Sequence, residues 1–292
     1  MRVGRSTVAT HTGRKRRHNE DAYVLQPPLF AIADGMGGAR AGEVASSLAA
    51  AALQSGEVDG NGKERVTALI QAANRRVYER SSQDAEVAGM GTTMTVALVE
   101  DGTVTLGHVG DSRAYVLRDG ELEQLTDDHS LVAELVRGGK LSAEEAEHHP
   151  QRSVITRALG TDPDVDVDTF TVEAEDGDVF VLCSDGLTDM VGDDEIGEVL
   201  AGSRENLKEA AEELVRRANK AGGQDNITVV AFEMTDEPDE QTLERTVEQT
   251  QPMPAAEATS EPERRRIWRF LPLLILLLGI AAAAIALWIL VR

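Results

Sequence analysis

Through residue 234 the chain alternates two hydrophobic rhythms. Short runs rich in β-branched and aliphatic residues, bounded by Gly, Asp and Pro, predict strands over residues 6–11, 22–26, 29–33, 92–100, 103–109, 114–118, 121–125, 167–172, 178–184 and 227–233. Stretches that are Ala-rich, or in which apolar positions recur every three to four residues, predict helices. The long ones cover 42–54, 64–82 and 205–221, and the shorter ones 131–137, 143–148 and 193–201. Asp101-Gly102 and Asp119-Gly120 each separate two apolar runs, which is a hairpin signal. Strands joined so tightly pair antiparallel. Hairpins interrupted by helix pairs predict an α+β fold with helices packed outside antiparallel sheets.

Beyond that domain, 1–234, the pattern changes twice. Residues 235–266 are polar, rich in Glu, Pro and Thr, and carry nine acidic against four basic side chains, the composition of a disordered linker. Residues 270–291 then run without a charge, long enough to cross a bilayer as a helix, so residues 267–292 are expected to form a single transmembrane helix. Arg264, Arg265, Arg266 and Arg269 precede this span, Trp268 and Trp288 stand near its ends, and only Arg292 follows. The excess of positive charge puts the N-terminal side in the cytoplasm. The first residues, MRVGRSTVATHTGRKRRHNED, contain no apolar signal-peptide core. The expected location is therefore the cell membrane, single-pass, with residues 1–234 cytoplasmic.

Charge and cysteine count narrow the chemistry. Twenty-nine basic residues against 51 acidic ones give a formal net charge of −22, which leaves no basic surface to grip nucleic acid. A single cysteine, Cys183, excludes a disulfide framework and any multi-cysteine metal site. Oxygen ligands or histidine must carry any metal chemistry. Asp21, Asp34, Asp111, Asp185 and Asp225 all stand at predicted strand ends, all but Asp21 beside or near glycine. Asp101-Gly102, Asp119-Gly120 and Asp176-Gly177 are read as plain turns, whereas wholly apolar strands lead into Asp34 and Asp185, where the glycine that follows lets the backbone turn tightly and present its own carbonyl to a metal. Buried carboxylates need compensation, and hard divalent cations supply it with few protein ligands and several waters.

Seven segments occur in order: RRHNEDAY (16–23), FAIADGMGGARAGEVAS (30–46), GMGTTMTVALV (89–99), GHVGDSRAYVLRDGELEQLTDDHS (107–130), RSVITRALG (152–160), VFVLCSDGLTDMV (179–191) and GGQDNITVVAF (222–232). Together, over residues 4–234, they resemble the metal-dependent protein phosphatase family, the 2C-type Ser/Thr phosphatases in their bacterial form. The resemblance implies a four-layer α-β-β-α sandwich of two antiparallel sheets flanked by helices. It also implies two Mn²⁺ or Mg²⁺ ions in a cleft at one end of the sandwich. By position, Asp34 would bridge both ions and Gly35 would offer its carbonyl to one. Asp185 and Asp225 would hold the other, while Asp21 and Glu20 would act through metal-bound waters. Asp111 matches the residue that, with Asp185, frames a third, weaker metal site. Arg16 stands where the family binds phosphate, with Arg17 as the adjacent alternative. The implied reaction is hydrolysis of phosphoserine and phosphothreonine in proteins by a metal-activated bridging water.

The resemblance has one departure. Met36 stands where eukaryotic relatives often carry a histidine, which leaves the leaving-group acid unassigned. His129, in TDDHS, is the nearest histidine to a family motif, with a structural role as its alternative. His148-His149-Pro150 lies in a segment, 131–157, that resembles the family's flap, and reads as an exposed helix end. Cys183, inside VFVLCSD, reads as a buried small apolar residue rather than a nucleophile. A catalytically silent module that recruits phosphoproteins to the membrane is the competing function, disfavoured because every acidic position is filled. The anchor points to a membrane Ser/Thr kinase system as partner.

Overall fold

Two apolar runs define the architecture, because both faces of each are buried. In Leu29–Met36, Ala31 and Ala33 face one hydrophobic cluster while Phe30 and Ile32 face another. In Val179–Cys183, Val181 and Cys183 pack on one side and Phe180 and Leu182 on the other. Each strand therefore lies in the middle of a stack of layers.

The computed structural model describes residues 1–37, 41–55 and 60–236. One sheet is ordered β1 (Arg2–His11), β11 (Ile227–Thr235), β10 (Val179–Cys183), β7 (Arg113–Arg118) and β8 (Glu121–Gln124). The other is ordered β2 (Asp21–Gln26), β3 (Leu29–Met36), β5 (Met94–Glu100), β6 (Thr103–Val109) and β9 (Asp168–Glu173), with the two-residue β4 (Gly91–Thr92) against β3. Every pairing is antiparallel. Between the sheets, Phe30 stacks on Phe232 with centroids 4.1 Å apart, and Phe180 stacks on Phe232 at 5.3 Å. Outside the second sheet pack α1 (Ala41–Ser55) and α2 (Gly62–Gln83); outside the first pack α6 (Asp193–Gly202) and α7 (Leu207–Ala221). This is the expected four-layer sandwich. Three short α-helices, α3 (Leu131–Arg137), α4 (Ala143–Glu147) and α5 (Asp185–Thr188), and a 3₁₀ turn at Ala85–Val87 complete the regular elements of the described residues.

The two predicted hairpin turns adopt the backbone their residues favour. Asp101 and Gly102 have φ of 50° and 81°, and Asp119 and Gly120 have 53° and 89°. Three local differences from the sequence reading matter for the site. The strand read as 29–33 continues to Met36, so Asp34 lies within β3 rather than beyond its end. The strand read as 92–100 breaks at Thr93, whose N–H donates to the Asp34 carbonyl while Thr92 pairs with Leu159. The residues after β10, read only as a glycine turn, form the helical turn α5.

β11 runs to Thr235, one residue into the stretch read as linker. The remainder of that linker and the transmembrane helix expected over 267–292 lie outside the described residues. Among the described residues no helix is long and apolar enough to cross a membrane.

Candidate metal centre and active site

Strand period places Asp34 on the face of β3 that carries Phe30 and Ile32, the face between the sheets. Asp21 is its register partner on β2. The Asp21 carboxylate reaches across to the other sheet: its Oδ2 accepts from Thr228 Oγ1 at 2.6 Å and from Ser184 Oγ at 2.9 Å. Thr228 lies on β11 and Ser184 caps α5, whose first residue is Asp185. Asp111 follows β6 in the turn to β7, and Asp225 precedes β11. One end of the sandwich thus gathers carboxylates from both sheets.

Their electrostatics confirm the convergence. Burial pushes the Asp34 carboxyl well above the usual carboxylate range, and the charges of Asp21, Asp185, Asp111 and Asp225 push it further. Asp185 is raised well above that range too, by burial and then by Asp111, Asp225, Asp189 and Asp21. Burial lifts Asp21 to about 6, with Asp225 adding repulsion, and lifts Asp111 to about 6, with Asp128 and Asp189 adding repulsion. All these residues are only half-buried, so protein crowds each carboxylate while it keeps an opening to solvent. Asp21 Oδ1 and Asp185 Oδ1 are buried and have no hydrogen-bond partner. Oxygen donors that repel one another and hold buried, unpartnered lone pairs fit a hard divalent cation. Among the described residues no three acidic, histidine or cysteine side chains stand close enough together to hold a metal ion by themselves.

The glycines beside the acids serve a purpose the sequence reading misplaced. Neither Gly35 nor Gly186 has a positive φ. Each is needed because another backbone crosses it: a Cβ on Gly35 would collide with the Gly42 carbonyl, and one on Gly186 with the Asn226 carbonyl. Glu20 is bolted beside them. Its N–H donates to Asn226 Oδ1 at 2.7 Å, and its carbonyl accepts from Gly35 N–H at 3.2 Å and Ser46 Oγ at 2.5 Å.

Of the two adjacent arginines, Arg16 reaches the cluster. Its Nη2 donates to Asp225 Oδ2 at 2.6 Å. Burial works against its charge, but Asp225, Glu20 and Asp34 outweigh it and keep the guanidinium protonated. His129 is buried, with both ring nitrogens in contact with the protein, a placement that fits the structural alternative. His148 is an exposed helix end, as read from the sequence. Cys183 is fully buried and burial pushes its thiol up to about 12, which removes it as a nucleophile.

Sequence reasoning passed over Asp189. It lies four residues after Asp185, so a helical turn puts both on one side, and burial raises its carboxyl while Asp225 adds repulsion. Arg152, from the flap-like segment, approaches it at 3.7 Å. Asn226 was missed as well. Its amide donates to the Thr12 and His18 carbonyls, both at 2.9 Å, and so closes the loop that carries Arg16 onto the loop that carries Asp225.

A two-sheet sandwich with carboxylates gathered at one end and an arginine beside them suits metal-assisted hydrolysis of phosphate esters. Residues 10–230 match the family model described as Protein phosphatase 2C. The serine/threonine phosphatase stp of Listeria monocytogenes is 42% identical over 242 residues, covering 77% of this chain and 93% of that protein. The crystal structure of the Mycobacterium tuberculosis serine/threonine phosphatase PstP/Ppp aligns with a TM-score of 0.75 at 41% identity, over 80% of this chain and 99% of that one. The catalytic domain of PstP in complex with two manganese ions aligns with a TM-score of 0.74 at 39% identity, over 81% and 100% of the two chains. The chain belongs to the protein phosphatase 2C family. It is an enzyme, a protein-serine/threonine phosphatase of the metal-dependent class.

Proposed function

We propose that the protein removes phosphate from phosphoserine and phosphothreonine in proteins at two Mn²⁺ or Mg²⁺ ions held chiefly by Asp34, Asp185 and Asp225. Gly35 offers its carbonyl, Glu20 and Asp21 act through bound water, and Asp111 joins Asp185 at a third, weaker position. The observation that carries this reading is the convergence of mutually repelling carboxylates, two of them with unpartnered buried oxygens. The two manganese ions in the PstP structure, on the same fold, support it.

Bound ions supply an activated water and neutralise charge on the phosphoryl oxygens. The chain's own residues prepare the place for them. Thr93 takes the Asp34 N–H on its Oγ1 at 2.9 Å and gives its own N–H to the Asp34 carbonyl at 2.9 Å, which fixes that residue's backbone on both sides. Ser184 and Thr228 occupy one oxygen of Asp21 and leave the other for the cleft. Arg16 spends one N–H on Asp225 and is half exposed, so its remaining donors are free to fork onto phosphoryl oxygens. No covalent phosphoenzyme is needed.

Hydrolysis of a phosphothreonine peptide by the full chain tests the reading. Activity should require added Mn²⁺ or Mg²⁺, vanish with chelator and fall at least a thousandfold in Asp34→Asn, about the 4 kcal/mol expected of a group that stabilises charge in the transition state. Equal activity in the variant and the wild type would sink it.

The proposal extends to the membrane. Twenty-two uncharged residues, 270–291, preceded by four arginines, support a C-terminal anchor with the catalytic domain on the cytoplasmic side. Anchoring raises the local concentration of the phosphatase near a membrane Ser/Thr kinase and its substrates. Full-length protein should pellet with membranes through alkaline carbonate washing and be released when residues 267–292 are deleted; pelleting of both forms would refute the anchor.

A further inference from the structure

Asp111 is presented entirely by its neighbours. Among the described residues no side chain donates a hydrogen bond to its carboxylate; the residues on either side are held instead. After it, the Ser112 Oγ lies 2.9 Å from Thr93 Oγ1, and the Ser112 carbonyl accepts from Thr95 Oγ1 at 3.1 Å. Before it, Gly110 has φ of 116° and lies so close to Thr93 that a Cβ would stand 2.6 Å from two of its side-chain atoms. The turn cannot retreat in that direction. On its other side stands His129, which meets Gly110 twice. The His129 N–H donates to the Gly110 carbonyl at 2.8 Å, and the Gly110 N–H donates to His129 Nδ1 at 3.0 Å.

The second bond fixes the ring chemistry. A backbone N–H cannot accept, so Nδ1 must present its lone pair and the proton must sit on Nε2. There it donates to Asp168 Oδ2 at 3.0 Å; Arg157 Nη1, which bonds the other oxygen of Asp168 at 2.6 Å, also lies 3.1 Å from Nε2 but has no acceptor with which to take that proton. Burial keeps the imidazole neutral, as this pattern requires. A buried histidine with one nitrogen turned to a ligand-bearing turn and the other fixed by a carboxylate has the logic of the outer layer of a metal site, where such partners orient the groups that touch the ion.

We propose that His129, held in its Nε2–H form by Asp168, is a positioning residue for Asp111 and so sets the strength of the third, weaker metal position. The inference rests on the proposed role of Asp111. It also gives TDDHS a purpose: His129 is neither an acid for the leaving group nor an inert core residue. Its carbonyl accepts from Thr156 N–H at 2.8 Å, and the next residue, Ser130, caps α3. Hence the same residue joins the Asp111 turn to both ends of the flap-like segment.

The test is Mn²⁺ binding by calorimetry on the metal-free full chain, comparing wild type, Asp111→Asn, His129→Leu, His129→Asn and Asp168→Ala. His129→Leu should weaken the step that Asp111→Asn removes by about tenfold, the lower end of what outer-layer partners contribute. The tighter steps should change less than twofold to threefold. His129→Asn, whose amide oxygen can take the Gly110 N–H, should recover most of the loss. Asp168 is half exposed, so Asp168→Ala should fold even where His129→Leu does not. It should weaken the same step several-fold. In nitrogen NMR spectra the His129 Nδ1 signal should be of the unprotonated, pyridine-like kind in the wild type and become mixed in Asp168→Ala. An unchanged weak step in both His129→Leu and Asp168→Ala, with Asp111→Asn still removing it, would overturn the inference and leave the metal site intact. Absence in the wild type of any step sensitive to Asp111→Asn would instead overturn the assignment of Asp111 itself, and the inference with it.

Discussion

Replacing Asp21 by Asn should stabilise the metal-free protein. In the folded chain this carboxyl is raised from 3.8 to about 6 by burial, with repulsion from Asp225 adding to it. Below pH 3.8 it is protonated in both folded and unfolded states and contributes nothing to the difference. Between 3.8 and about 6 the folded protein holds a proton that the unfolded chain has released, so stability falls as pH rises. Above about 6 the full penalty is present, on the order of 3 kcal/mol. Asn removes the charge, and its amide oxygen can still accept from Ser184 and Thr228. Its amide nitrogen can take the place of Oδ1, now unpartnered.

The wild-type pH profile alone would not isolate this effect. His108 is pushed down from 6.5 to about 4 by burial, and His129 is lowered in the same way. A histidine with a depressed pKa is kept neutral in the folded state, so stability rises with pH between about 4 and 6.5, against the carboxylates. The informative quantity is the difference between Asp21→Asn and wild type, in which the histidines cancel. Measured by urea unfolding in chelator, it should be near zero at pH 4 and about 3 kcal/mol in favour of the variant at pH 7.5. In a melt that is about 6–12 °C for a domain of this size. With saturating Mn²⁺ the order should reverse, because binding to the folded state stabilises the wild type more. A variant no more stable than wild type at pH 7.5 in chelator, or one whose advantage persists unchanged to pH 4, would refute this account of the site.

Arg16→Gln should lower kcat/KM on a phosphothreonine peptide by about ten- to a hundredfold, the value of one or two charge-assisted hydrogen bonds of 1.5–3 kcal/mol. The Mn²⁺ concentration for half-maximal activity should not rise, and a rise that accounts for the whole loss would reassign Arg16 to metal binding. Gly186→Ala should cost about 1–3 kcal/mol in chemical unfolding, since its Cβ meets the Asn226 carbonyl with no room on either backbone. Unchanged stability there would mean that the α5 turn and the β11 approach are less rigid than described.

What the sequence disclosed about the site followed from cost. A carboxylate at the end of LFAIA or VFVLC is visible because nothing in an apolar strand explains it, and the structure indeed brings Asp34 and Asp185 together. The four layers came from the family resemblance, and the structure supplies their physical reason: runs without polar alternation, such as β3 and β10, must be covered on both faces. Thr93, Ser112, Ser184, Thr228 and Asn226 carried no such mark. Each is a small polar residue of the kind that turns and caps use everywhere, and its function depends on a partner tens to hundreds of positions away, as with Thr228 and Asp21. Asp189 lay one helical turn past Asp185, but that turn could not be read as helix from four residues. The glycines misled in the opposite direction. An Asp-Gly pair reads as a turn, yet Gly35 and Gly186 answer to backbone crossings that only the packed sheets create.

The missed residues share a physical task, which is to hold repelling charges in place before any ion arrives. Asp34, Asp21, Asp185 and Asp111 all have carboxyls pushed upward by burial, so the metal-free fold bears the cost of keeping them close. Bonds from Ser184 and Thr228 to the Asp21 carboxylate recover part of that cost without neutralising the charge, while Thr93 holds the Asp34 backbone. Asp111 has no comparable side-chain support and depends on the peptide groups around it, which His129, Thr93 and Thr95 secure. A carboxylate held only through its neighbours is the one whose metal affinity is most sensitive to residues that never touch the ion. The Asp111 position is therefore where the outer layer should act most strongly, and Asp21, whose carboxylate Ser184 and Thr228 hold directly, is where it should act least.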